Sequence, residues 1–144
     1  MPGEMFINVK PKRPVSLGEF AGMVYRDLNV SAFSERESSN YIDEHYFTAD
    51  SLGAKVCVSL ADDDRFSDYQ FWITLSTAKT WVNDGSFIEP LADLIARFLT
   101  MKGYEVARDP SGGRIGGAKL IYSRGAATTY GPGQVEVREV PQGN

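Results

Sequence analysis

The chain has 144 residues, with 19 acidic against 15 basic side chains and a formal net charge of −4, which argues against a nucleic-acid binder, since that needs a basic face. Its one cysteine excludes an intramolecular disulfide scaffold. Hydrophobic residues at 42% and charged residues at 24% suit a globular domain with a sizeable core, and no stretch approaches the roughly 18 continuous apolar residues of a membrane span.

The first six residues lack the basic start and apolar run of a signal peptide, so a cytoplasmic location is expected. Residues 5–9 read as a short first strand, ended by the prolines and charges of 10–14. Ser16 and Glu19 have capping-box spacing, and Leu17, Phe20, Val24 and Leu28 follow on one helical face. Asn29 is the expected helix stop. Residues 34–40 form a polar connection.

Three strands are then expected at 41–47, 55–60 and 69–75, each rich in β-branched and aromatic residues. A loop over 49–53 centred on Ser51 would pair His45 with Cys57, Asp43 with Ser59 and Phe47 with Lys55. Period-2 geometry then puts Ile42, Tyr46, Val56, Val58 and Leu60 on the core face. Tyr69, Phe71, Ile73 and Leu75 join them. The second face carries Tyr41, Asp43, His45, Phe47, Cys57, Ser59, Trp72 and Thr74, a polar surface with embedded aromatics. One solvated face is ordinary for an antiparallel sheet, but large aromatics on it mark a contact surface.

Residues 77–85 are a further loop that contains Trp81. Ser86 and Glu89 repeat the capping-box spacing, and Pro90 fits a first turn. Leu91, Leu94, Ile95, Phe98 and Leu99 continue that helix, and Gly103 ends it. Strands are expected at 104–108 and 118–123, joined by a glycine-rich turn over 109–117. That turn leads into a strand and lacks the lysine and hydroxyl of a phosphate-binding loop. Residues 134–140 alternate as a last edge strand would, or form a flexible tail. The expected domain is 1–125, with 126–144 as edge strand or tail.

Two patterns bear on chemistry. His45 opposite Cys57, with Asp43 nearby, is the start of a nucleophilic dyad, but mid-strand positions on a flat sheet supply no oxyanion hole. Asp62, Asp63, Asp64 and Asp68 place four carboxylates in seven residues, without the alternate ligands and turn glycine of a calcium loop. No metal and no cofactor are expected. An acidic loop of this kind steers encounter with a basic partner, and Glu35, Glu37, Asp43 and Glu44 reinforce the field if they share its side.

The segments Glu35-Arg-Glu-Ser-Ser-Asn-Tyr41 with His45-Tyr-Phe47, and Leu60-Ala-Asp-Asp-Asp-Arg-Phe-Ser-Asp-Tyr-Gln-Phe-Trp72, resemble small acidic bacterial immunity proteins of polymorphic or contact-delivered toxin systems. The likeness covers about the middle half of the chain and is one of overall style rather than of a single motif. It implies a non-enzymatic protein that binds one cognate toxin and blocks its site.

The expected fold is α+β: a mostly antiparallel sheet of five to seven strands with two helices on one face. The expected partner is a protein toxin, with neither nucleic acid nor membrane. Its binding surface would comprise Glu35, Glu37, Tyr41, Asp43, His45, Asp62, Asp63, Asp64, Asp68 and Trp72. Two alternatives stand beside it: a small-molecule or enzymatic domain using the face around His45 and Cys57, and a homodimeric module joined through the Trp72 face.

Overall fold

The computed structural model describes residues 4–63, 66–78, 86–109, 119–124, 126–130 and 138–140. The fold is α+β, with a wholly antiparallel sheet and two helices on one of its faces. Nine strands lie among the described residues: β1 Met5–Lys10, β2 Ser34–Glu37, β3 His45–Ser51, β4 Ala54–Leu60, β5 Phe71–Thr77, β6 Glu105–Arg108, β7 Lys119–Ser123, β8 Ala126–Tyr130 and β9 Arg138–Val140. The helices are α1 Leu17–Asp27 and α2 Ile88–Met101. The strand order is β2-β3-β4-β5-β1-β6-β7-β8-β9.

Five to seven strands had been expected. The additional ones are the polar β2 and the Ala/Thr-rich β8, whose composition carries no alternating apolar signal. Position in the sheet overrides that weak propensity. The chain beyond 125 continues the sheet through β8 and β9. The expected Trp81 loop and the glycine-rich turn lie outside the described residues.

β1 is the centre of the sheet. It pairs with β5 on one side and β6 on the other. β5 and β6 therefore run parallel, with α2 crossing over β1 to connect them. Ile7 and Val9 are fully buried on the helical side. Val56, Val58, Ile73, Leu75 and Val106 share that core. The ring of Phe20 from α1 stacks on Phe71 at 4.2 Å and 9°.

α1 begins where its spacing predicts. Ser16 Oγ accepts from the Glu19 amide at 3.1 Å, and Glu19 Oε1 accepts from the Ser16 amide at 3.1 Å. It ends at Asn29, whose φ of 60° is left-handed. The Asn29 and Val30 amides donate back to the Arg26 and Tyr25 carbonyls, which satisfies two otherwise orphaned acceptors. Gly103 (φ 100°) closes α2 in the same way, with the Gly103 and Tyr104 amides donating to Thr100 and Leu99.

The start of α2 differs from expectation. Its cap is Phe87 with no side-chain hydrogen bond, so Ser86 and Glu89 form no capping box. Glu89 is drawn instead to the buried Arg108 on β6, a charge-assisted contact stronger than a local cap bond. The Arg108 Nε donates to the Tyr122 hydroxyl at 2.8 Å, and that hydroxyl donates to Asp93 at 2.7 Å. Arg97 donates to the same carboxylate at 2.7 Å. This network ties α2 to β6 and β7.

The buried face of α2 is Ile88, Ala92, Ile95, Ala96 and Leu99. Leu94 and Phe98, which continue the helix as its spacing predicts, are 61% and 36% exposed.

Two predictions follow from these contacts. A Cβ at Gly103 would meet Lys12 Cε at 2.4 Å, in a backbone conformation that L-residues avoid. Gly103→Ala should cost about 1–2 kcal/mol in chemical denaturation, with the slope unchanged. Burial pushes the Asp93 carboxyl up, but hydrogen bonds from Arg97 and Tyr122 and the charges of Arg97 and Arg108 outweigh it and hold the group below its ordinary 3.8. A depressed folded-state value stabilises above the ordinary pKa and loses that stabilisation as the pH falls through the folded one. Asp93→Asn should therefore unfold earlier than wild type at neutral pH, and a pH series of melts should show the gap closing below pH 3.8.

Candidate functional site: the sheet face opposite the helices

Both helices lie on the face of Ile7, Val58, Ile73 and Val106. The opposite face of the central strands presents Phe6 and Asn8 from β1, Trp72 and Thr74 from β5, Cys57 and Ser59 from β4, and Tyr46 and Thr48 from β3. Cross-strand pairs fix this set: Asn8 with Trp72, Phe6 with Thr74, Cys57 with Thr74, and Ser59 with Trp72.

The β3–β4 register differs from the sequence expectation, and the difference decides which residues meet. Strand β3 runs on through Ser51, which pairs with Ala54 across a two-residue turn at Leu52 and Gly53. Both turn residues have positive φ, 56° and 80°, as tight hairpins require. Thr48, not His45, faces Cys57, and Phe47 faces Val58 rather than Lys55. The offset is odd, so β3 turns over. Phe47 goes to the core side and Tyr46 to the open face.

The His45–Cys57–Asp43 constellation therefore does not form. His45 lies on the helical side of the sheet, with Nδ1 3.3 Å from Glu35 Oε2. That contact is electrostatic only, since the pair is not aligned as a hydrogen bond. The Cys57 thiol lies on the open face and contacts Thr48 Oγ1 at 3.5 Å. Burial pushes it up, and the carboxylates of Glu4 and Asp50 add to that against the opposing Thr48 hydrogen bond and Lys55 charge. A raised thiol is a poor nucleophile.

The seven residues joining β2 to β3, 38–44, fold across the open face. The Ser38 amide donates to Glu44 O at 3.0 Å, Tyr41 to Ser38 O at 3.2 Å and Glu44 to Tyr41 O at 2.9 Å. Asp43 and Glu44 take left-handed φ of 60° and 59° to make the turn. Tyr41 stacks on Tyr46 at 4.4 Å. Burial, then the neighbouring Cys57, Glu4 and Tyr46, pushes the Tyr41 phenol up to about 12.

Between this loop and the sheet lies a concavity of about 270 Å³, lined by Glu4, Phe6, Asn40, Tyr41, Ile42, Leu60, Asp62, Trp72 and Thr74. Trp72 is held in place: its Nε1 donates to the buried Asn8 Oδ1 at 2.9 Å, and its ring meets Phe6 at 4.8 Å and 58°. A second, more open trough of about 480 Å³ toward β2 mixes Arg36 and Lys55 with Asp50. The acidic character thus belongs to the β1 end of the face.

Of the residues singled out from sequence, Tyr41, Asp62 and Trp72 meet in the concavity. Asp43 stands exposed on the covering loop. Glu35 and Glu37 are exposed on the edge strand β2, where their pairing with Phe47 and His45 places them on the helical side. They cannot reinforce the field at Asp62. Asp63 O accepts from the Phe66 amide at 3.0 Å, which closes a turn, and Asp68 is exposed outside the concavity. Asp64 lies outside the described residues. Glu4, Phe6, Asn40 and Thr74 were missed. Period 2 in the first strand does put Phe6 and Asn8 on one face, but only the pairing of β1 with β5 brings them to Trp72.

Among the described residues no group of three His, Cys, Asp or Glu side chains is placed to hold a metal ion. Among them, too, no helix is long and apolar enough to cross a membrane. No known protein family, curated protein or solved structure matches the chain.

The buried thiol gives a direct check of this geometry. Iodoacetamide at about pH 8 should alkylate Cys57 in the native protein roughly tenfold more slowly than in the urea-unfolded chain. Native alkylation as fast as unfolded would mean that the 38–44 loop does not cover the face.

Proposed function

We propose that the protein acts by binding, as an immunity-type inhibitor that neutralises a cognate bacterial toxin in the cytoplasm. The observation that carries this reading is the concavity left between the 38–44 loop and the sheet face opposite the helices, where Trp72, fixed by Asn8, sits beside Phe6 and Tyr41 and is edged by Glu4 and Asp62. Preorganised aromatics surrounded by polar groups are the usual energetic centre of a protein interface. Carboxylates at the rim speed encounter with a cationic site and repel anionic competitors. His45 and Cys57 lie on opposite sides of the sheet, so no His–Cys pair forms there, which favours the binding reading.

The test is protection. Products of the open reading frames adjacent to this one are expressed in a bacterial host with and without the chain. One of them should arrest growth alone and be tolerated with the wild-type chain. Trp72→Ala should weaken that complex tenfold or more, about 1.4 kcal/mol, measured well below the variant's melting temperature, which should itself fall because Asn8 loses its partner. A wild-type chain that neither protects against nor binds any toxic neighbour overturns the proposal.

A further inference from the structure

We infer that the concavity between the 38–44 loop and strands β1 and β5 is a receptor for one arginine side chain of a protein partner. The inference deepens the inhibitor reading and rests on it for the identity of the partner.

Size is the first argument. At about 270 Å³ the space stands at the small end of ligand pockets, roughly 300–1,000 Å³, and is large enough for a single long side chain. Charge is the second. Its lining carries two carboxylates, Glu4 and Asp62, and no basic residue among the described ones. Burial is the chief cause that raises the Tyr41 phenol and the Cys57 thiol, and the nearby Glu4 carboxylate adds to both.

Aromatic faces are the third. Trp72, Phe6 and Tyr41 line the same space, and a cation over such rings gains quadrupole attraction in addition to its ion pairs. The indole cannot swing away, because its N–H is committed to Asn8.

The acceptor count selects among cations. Glu4, Asp62, Asn40 and Thr74 all offer oxygens. A guanidinium has five donors in a planar fork and also stacks on rings. An ammonium has three donors on a compact head, and a quaternary ammonium has none, so it would leave those oxygens dry. Arginine combines donors for these oxygens with a planar face for the rings.

The probe is N-acetyl-arginine amide, with the citrulline, lysine and tetramethylammonium counterparts as controls. The readout is the indole N–H resonance of Trp72 in the full chain, assigned by its absence in Trp72→Phe. The arginine compound should shift that resonance saturably, in the millimolar range, while citrulline, of the same shape without the charge, leaves it in place. Glu4→Gln and Asp62→Asn should each weaken the response several-fold, with the remaining amide spectrum showing the fold intact. Absence of a saturable shift overturns the inference. So does a shift that survives both carboxylate changes, or tighter binding of lysine or tetramethylammonium.

The two readings fail separately. Arginine binding in a chain that protects against no toxic neighbour supports the receptor and overturns the inhibitor. Protection unaffected by Asp62→Lys overturns the receptor and leaves the inhibitor standing.

Discussion

The insertion of β1 between β5 and β6 is the constraint on which the rest depends. Without it the sheet falls into two meanders, β2 to β5 and β6 to β9, with no shared ladder. Each of those would expose an apolar edge, and α2 would have nothing to cross. The inserted strand contributes Ile7 and Val9 to the core on one side. On the other it contributes Phe6 and Asn8, so one strand both completes the fold and builds the floor of the concavity. Asn8 shows the coupling most directly. It is buried on a face no helix covers, and its amide oxygen is taken by the indole of its cross-strand partner Trp72. A buried polar group must be paired, and the pairing fixes the aromatic ring.

The two faces of the sheet solve different problems. The helical face is closed by aromatic stacking of Phe20 on Phe71 and by the Arg108 network beneath α2. Arg108 is almost wholly buried, while its carboxylate partners Glu89 and Asp93 are partly exposed. The cation is thus neutralised from the rim, where the acids keep some of their hydration, which lowers the cost of burying the pair. The other face is closed only in part, by a seven-residue hairpin loop. That loop leaves aromatic surface accessible beside Glu4 and Asp62. Partly exposed aromatics with a fixed indole and one sign of charge at their edge make a surface suited to contact.

Much of the local structure was legible in the chain. The capping box at Ser16 and Glu19, the helix stops at Asn29 and Gly103, and the alternation that set Phe71, Ile73 and Leu75 opposite Trp72 all depend on residues within a few positions of one another. At the start of α2 the Glu89 carboxylate has a distant partner in Arg108, which nothing near residue 89 reveals. The β3–β4 register failed because Leu52 adopts a left-handed φ that leucine disfavours, so a longer loop looked the better turn. One odd shift exchanged His45 for Tyr46 on the open face and dissolved an apparent dyad.

The sequence by itself determined the fold class, the two helices and their C-terminal stops, the acidity, and the placing of Trp72 on the face of β5 opposite Phe71 and Ile73, because these follow from propensity, periodicity and charge. Tertiary structure alone decided which strands are neighbours, and therefore that Glu4 and Phe6 stand beside Trp72 and Asp62 while Glu35 and Glu37 stand on the other side of the sheet. The reason is physical. Strand pairing is a contact between segments remote along the chain, and hydrogen-bond ladders are made of backbone groups that every residue shares. The side chains restrict which register is stable, but they do not name the partner strand.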